Sequence, residues 1–106
     1  MNQAVKNQKI ASLNDAYRCQ MTGCVVTRGI TNLGPLVRDI FVRVREYQDF
    51  NQGNDPYGEH DFGSFAILGM KILWKIDYYD QDLKGWCHPL DEQCRRQLTI
   101  MRAEEY

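Results

Sequence analysis

The sequence predicts an α+β protein in which helices cover one face of a three-stranded, mostly antiparallel sheet. This is a two-layer sandwich with the element order α-β-α-β-β-α. Three observations predict it: apolar residues at helical spacing, a strict alternation in residues 70–79, and a glycine at position 69 between two strand-like segments. The 106 residues suffice for one hydrophobic core. Residues 1–106 are therefore predicted to form a single domain, with a helix in residues 1–21 at its periphery.

The first half of the chain predicts two helices and a short strand. Within residues 4–21, helical spacing relates Ile10, Leu13, Tyr17 and Met21. Residues 24–28 are rich in β-branched side chains and predict a strand that ends at Gly29. Residues 33–47 predict the clearest helix, because their apolar residues follow the i, i+3, i+4, i+7 pattern. Pro35 stands in its first turn, where no intrahelical N–H partner is lost.

The second half predicts a loop, a hairpin and a last helix. Residues 49–58 are turn formers and too polar for a strand. Residues 62–68 and 70–79 predict two antiparallel strands joined near Gly69. One face of the second strand is predicted to carry Ile72, Trp74, Ile76 and Tyr78. A final helix starting near Asp91 is predicted from the spacing of Leu90, Cys94, Leu98 and Met101.

Charge is distributed unevenly along the chain. Residues 1–45 hold seven Lys or Arg against two Asp, whereas residues 46–82 hold eight acids against two Lys. A nucleic-acid-binding protein normally shows a concentrated basic excess, so direct nucleic-acid binding is not expected. The polar N-terminus does not resemble a signal peptide, and no apolar stretch is long enough to span a bilayer, so a cytoplasmic location without membrane contact is expected. The composition is compatible with a monomer or a symmetric dimer.

The four cysteines form two pairs, Cys19 with Cys24 and Cys87 with Cys94. Structural zinc sites usually take their first ligands from a tight C-x2-C or C-x4-C knuckle, and the second pair is spaced too widely for one. Reduced, partly buried thiols are therefore expected. No metal, no cofactor and no catalytic residue is assigned.

Three segments resemble one protein family. They are residues 54–63 (NDPYGEHDFG), residues 74–80 (WKIDYYD) and the closing residues 98–106 (LTIMRAEEY). With the Gly29-Ile30-Thr31 segment and the predicted helix of residues 36–50, the chain is similar over roughly residues 23–106 to the bacterial family catalogued as domain of unknown function 3768. The resemblance implies no activity. It implies a role under particular conditions and not in housekeeping metabolism, because the members resemble products of accessory genes of bacteria and their mobile elements.

The candidate site lies in the acidic, aromatic stretch of residues 54–80. Its predicted binding residues are Asn54, Asp55, Tyr57, Glu59, His60, Asp61, Asp77, Tyr79 and Asp80. Carboxylates beside exposed tyrosines are typical of protein-recognition surfaces. A structural alternative stays open for part of this set, in which Asp55 caps a turn and His60 hydrogen-bonds the backbone. Trp74 and Tyr78 are expected in the core.

The leading hypothesis is a small non-enzymatic binding protein that docks on a larger protein or protein–nucleic-acid complex. Given the mobile-element character of the family, that partner is expected to be a host defence complex, which would make the chain an anti-CRISPR-like inhibitor. One alternative is a binder of nucleotide-like small molecules through Tyr57, His60 and Trp74. The other is a metal-dependent hydrolase that uses Glu59, His60, Asp61 and Asp77.

Overall fold

The computed structural model describes residues 2–106, and these residues form an α+β fold with a four-stranded mixed sheet. In chain order the elements are α1 (Gln3–Gln20), β1 (Val25–Val26), α2 (Arg28–Thr31), α3 (Leu36–Arg45), β2 (Phe62–Ile67), β3 (Met70–Tyr79), β4 (Arg95–Arg102) and a 3-10 turn (Ala103–Glu105). The sheet order is β1-β4-β3-β2. No helix in this described part of the chain is long and apolar enough to cross a membrane.

The predicted last helix is wrong, because residues 95–102 form strand β4. The spacing of Leu90, Cys94, Leu98 and Met101 fits a helix, but Leu98 and Ile100 alternate as in a strand and are fully buried. They face Ile76 and Trp74 of β3 in antiparallel register. The element order is therefore α-β-α-α-β-β-β, not α-β-α-β-β-α.

The sheet also has four strands instead of the three predicted, and it is mixed. The edge strand β1 runs parallel to β4, with Val25 opposite Thr99 and Val26 opposite Ile100. The predicted strand of residues 24–28 is thus shorter than expected, and Thr27 N donates to the Ile100 carbonyl where the chain leaves the sheet (3.1 Å).

The predicted hairpin of β2 and β3 is confirmed. Six residue pairs connect the strands, from Phe62 opposite Lys75 to Ile67 opposite Met70. The two turn residues Leu68 and Gly69 have φ of 49° and 79°. Positive φ at both central positions is the turn geometry that matches the right-handed twist of a two-stranded hairpin.

The core lies between one face of the sheet and the helices α1 and α3. The predicted face of β3 is buried as expected, with Trp74 fully buried. From the helices, Ile10 of α1 and Ile40 and Val44 of α3 pack into the same cluster as Leu98 of β4. The predicted helix of residues 33–47 is confirmed over its central part, and its apolar stripe is what places the helix on the sheet.

Candidate functional site

An open cleft of about 530 Å³ lies where the N-terminal turns of α1 meet the end of β3. Its walls are Tyr57 and Trp86, whose side chains are 72% and 70% exposed. We call it the Tyr57–Trp86 cleft. It is lined by Gln3, Asn7, Ile10, Tyr57, Glu59, Asp61, Tyr78, Trp86, His88 and Pro89. Three of the nine predicted site residues, Tyr57, Glu59 and Asp61, thus meet in one place.

The loop that carries these three residues is shaped by Asp55. This carboxylate is buried, and its Oδ1 accepts the backbone N–H groups of Glu59 (3.0 Å) and His60 (3.2 Å). Asn54 has a similar role one residue earlier, since its Nδ2 donates to the Asp49 carbonyl (2.9 Å) and its Oδ1 accepts from Asn51 N (2.9 Å). The turn-capping interpretation of Asp55 is confirmed, and both side chains hold the loop in shape.

Glu59 and Asp61 form the acidic base of the cleft. Both are half-buried, and burial is the main reason that the pKa of each carboxyl is raised. Their mutual repulsion raises the pKa of Glu59 further, and the charge of Asp55 adds to both. Among residues 2–106 no Lys, Arg or His forms an ion pair with either carboxylate. The cleft therefore holds two acids whose charge the fold does not neutralise.

Asn14 of α1 fixes the floor of the cleft. It is fully buried, and its Nδ2 donates to the Glu59 carbonyl (2.9 Å) and to the Tyr78 hydroxyl (2.8 Å). Its Oδ1 accepts from Arg96 Nε of β4 (2.6 Å). Arg96 in turn donates through Nη2 to the Pro89 carbonyl (2.8 Å). One asparagine thus ties the helix, the loop and two strands together under the site.

The second wall is set by a tight turn after β3. Asp80 Oδ1 accepts the N–H groups of Asp82 (3.1 Å) and Lys84 (3.0 Å), and Asp80 N donates to the Gly85 carbonyl (2.8 Å). The chain then returns so that Trp86 bridges to Tyr79. The predicted binding residue Asp80 therefore caps the turn that positions Trp86.

His60 does not line the Tyr57–Trp86 cleft, although it lies between Glu59 and Asp61 in sequence. Its φ is 58°, and its ring stacks on Phe50 at 3.9 Å with an interplanar angle of 3°. Its Nδ1 is 3.0 Å from Asp15 Oδ1 of α1. The ring therefore contacts a side chain and not the predicted backbone group, and His60 faces a separate pocket that also contains Arg18.

Asp77 and Tyr79 belong to the other face of the sheet. In β3 they alternate with the buried Ile76 and Tyr78, and Asp77 pairs with Lys75 at 2.8 Å. Asp77 does not line the cleft, whereas Asp61 does. Within residues 2–106 no group of three or more His, Cys, Asp or Glu side chains is placed to hold a metal ion.

Several cleft residues are not among those predicted from the sequence. Gln3 and Asn7 come from α1, and Trp86 and His88 from the segment before β4. The sequence contained one signal for Trp86: this tryptophan lies beside Gly85 in a predicted loop, where no core position is expected for it. No sequence signal indicated that α1 contributes to the cleft, since this depends on how the helix packs on the sheet.

Comparison with known proteins gives one result. The model of the family described as "Protein of unknown function (DUF3768)" matches residues 26–105, which is most of the chain. The match includes Tyr57, Glu59, Asp61 and Trp86, so the cleft lies largely within the family region, and the whole of α1 lies outside it. Neither a curated protein nor a solved structure matches the chain.

Proposed function

The chain belongs to the DUF3768 family, and we propose that it is a non-enzymatic binding protein that holds a cationic side chain of a larger partner in the Tyr57–Trp86 cleft. One observation carries the proposal. Glu59 and Asp61, two half-buried carboxylates without an ion-pair partner among residues 2–106, line the same cleft as two exposed aromatic residues.

A cation suits this arrangement for two physical reasons. An ammonium or guanidinium group would neutralise the carboxylates, whose charged forms burial disfavours. Trp86 and Tyr57 are exposed aromatic residues of the cleft, and an aromatic face attracts a cation within about 6 Å, tryptophan most strongly. Charge pairing and ring contact together favour lysine or arginine over neutral side chains.

A protein partner suits the cleft better than a free small molecule. Small-molecule sites usually bury about 70–90% of their ligand, whereas both aromatic walls here stand largely in solvent. A side chain presented by a larger surface would be covered by that surface as well. Exposed tyrosine and tryptophan are also the residues that contribute most at protein interfaces.

We propose a host defence complex as the partner, with the chain acting as an anti-CRISPR-like inhibitor. The support is chemical. Protein channels that track nucleic acids are lined by Lys and Arg, and an acidic, aromatic cleft is complementary to such side chains. Residues 46–82, which include Glu59 and Asp61, hold an excess of acids, and this negative charge favours encounter with a basic surface.

The test is affinity capture of the tagged protein from its host cells, with matched variants. Wild type should recover one stoichiometric protein partner, and Glu59→Gln with Asp61→Asn should lose it. Asp82→Asn removes an exposed acid that does not line the cleft and should keep the partner. Recovery should weaken as ionic strength rises. Equal recovery by the cleft variants, or no partner at any salt concentration, would overturn the proposal.

The two alternatives remain predictions with fewer residues to support them. Trp74 is fully buried, so a nucleotide-like ligand in the cleft would have to stack on Tyr57 and Trp86. A metal-dependent hydrolase in the cleft would have to work without Asp77, since Asp61 lines the cleft and Asp77 does not.

A further inference from the structure

We propose that the outer edge of strand β2 and the end of α3 beside it form an interface between two copies of this chain, which pair as a symmetric dimer. The groove at this edge shares no lining residue with the Tyr57–Trp86 cleft, so the inference goes beyond the proposed function.

Strand β2 is an edge strand without the usual protection against pairing. It lies at one end of the sheet, and β3 is its only partner strand. Proteins normally protect such an edge with a charged side chain, a proline or a bulge. The sequence of β2, FGSFAI, contains no charged residue and no proline, and its register with β3 is continuous. This edge is therefore open to another strand.

The register of the hairpin shows which main-chain groups stand at the edge. The two-residue turn makes Ile67 and Met70 a hydrogen-bonded pair, so the N–H and C=O groups of residues 64 and 66 point away from β3. The Ser64 N–H donates to the Tyr47 hydroxyl (3.3 Å). Ala66 is exposed, and no loop or turn backbone group of residues 2–106 bonds to it. Ala66 thus offers a strand partner one donor and one acceptor.

The groove beside this edge carries unpaired charges of both signs. It has a volume of about 480 Å³, and Arg43, Glu46 and Asp49 line it together with residues 64–66 of β2. Arg43 lies over the Phe65 ring, 4.6 Å from its centroid. All three charged residues are exposed, and none forms an ion pair within residues 2–106. One cation and two acids therefore remain for a partner.

A two-fold axis makes both features complementary. Two copies related by such an axis pair the same edge strand antiparallel, and every contact between two different residues occurs twice. The Ala66 N–H of each copy then donates to β2 of the other copy. Arg43 of each copy faces Glu46 of the other, and Asp49 adds to the negative charge. A second copy thus supplies both halves of each pair, which is the reason to prefer it to an unrelated partner.

The main-chain pairing is tested by sedimentation velocity of the full-length protein over a range of concentrations. The mass of wild type should rise from 12.4 kDa towards twice that value. Ala66→Pro removes the outward N–H, and proline is tolerated in an edge strand at such a position. This variant should stay at the monomer mass at concentrations where the control Ala66→Val, which keeps the N–H, forms the dimer. Circular dichroism verifies that both variants are folded.

The charge pairing is tested by Arg43→Glu and Glu46→Arg, two changes at exposed positions. Each variant alone should self-associate at least about tenfold more weakly than wild type, because like charges then meet across the interface. An equimolar mixture of the two variants should form the dimer again, since each introduced charge then faces its opposite. Pairing within one chain would not respond to mixing.

Three outcomes would overturn the proposal. The first is a monomer mass for wild type at all concentrations up to about 1 mM. The second is a dimer that neither Ala66→Pro nor the charge reversals weaken. The third is a mixture that associates no better than its components. None of these changes alters a residue that lines the Tyr57–Trp86 cleft, so failure here is distinguishable from failure of the binding proposal.

Discussion

Asn14→Ala tests whether the asparagine under the cleft organises the site. The substitution removes three hydrogen bonds, those to the Glu59 carbonyl, the Tyr78 hydroxyl and Arg96 Nε, at 2.6–2.9 Å. A neutral hydrogen bond contributes about 1 kcal/mol net and one to a charged group about 1.5–3 kcal/mol. The sum is a loss of about 4 kcal/mol in the free energy of unfolding.

Such a loss is large for a domain of this size, whose total stability is about 5–15 kcal/mol. Asn14 has no exposed surface, so water cannot replace the lost partners without entering the core. With a urea m-value of about 2 kcal/mol per molar, the midpoint of unfolding should fall by about 2 M. Urea denaturation followed by tryptophan fluorescence measures it, because Trp74 is fully buried in the folded protein.

Two companion variants make the result specific to the hydrogen bonds. Ser12→Ala changes an exposed position on the same helix and should shift stability by less than about 0.5 kcal/mol. Asn14→Asp keeps an acceptor for Arg96 and for the Tyr78 hydroxyl but cannot donate to the Glu59 carbonyl, so it should lie between Asn14→Ala and wild type. A fall of less than about 0.5 M urea in Asn14→Ala would refute the reasoning, since it corresponds to only about 1 kcal/mol.

Three further predictions concern charge and packing. Asp61→Asn should stabilise the protein at neutral pH. The pKa of Asp61 is raised in the folded protein, so wild type loses stability as the pH rises from below the ordinary value of 3.8 through that raised pKa. Urea titrations at several pH values should show that the stability of the variant depends less on pH. Glu105→Gln should lower stability at neutral pH and less so in acid. Hydrogen bonds from Arg102 N, the Thr27 hydroxyl (2.7 Å) and Gly29 N lower the pKa of Glu105. Wild type therefore has the stability contributed by this carboxylate at neutral pH and loses it as the pH falls through the lowered pKa. Gly63→Ala should lower the thermal midpoint by an amount equivalent to about 1–3 kcal/mol, because the added methyl group would overlap the buried Trp74 indole, and scanning calorimetry measures that shift.

Much of the fold could be predicted from the sequence because its signals are local. The β2–β3 hairpin is encoded by alternation on both sides of Gly69, and α3 by a stripe of apolar residues after Pro35. Strand β4 carries an ambiguous signal, because two arginines precede Leu98 and the apolar positions at 94, 98 and 101 also fit a helix. Pairing with β3 makes this segment a strand, since each buried residue of β4 lies opposite a buried residue of β3.

The candidate site was predictable only where one short segment builds it. Turn chemistry places Asp55 as the cap of the loop, and this also fixes Glu59 and His60. Sequence could not tell that the positive φ of His60 directs its ring to Asp15, away from the carboxylates next to it. It also could not place Trp86 and Tyr57 in one cleft, because the position of Trp86 depends on the turn capped at position 80.

The two cleft carboxylates connect stability with the proposed function. Glu59 and Asp61 are held half-buried and close together, and burial opposes the charged form of both. If Asp61 had neither a structural role nor a binding role, replacing it by asparagine would remove repulsion, stabilise the protein and leave partner capture unchanged. If they bind a cation, the same replacement must stabilise the protein and weaken partner capture together. A structural role for Asp61 requires lower stability in the variant, so measuring stability and capture on one sample separates the two explanations.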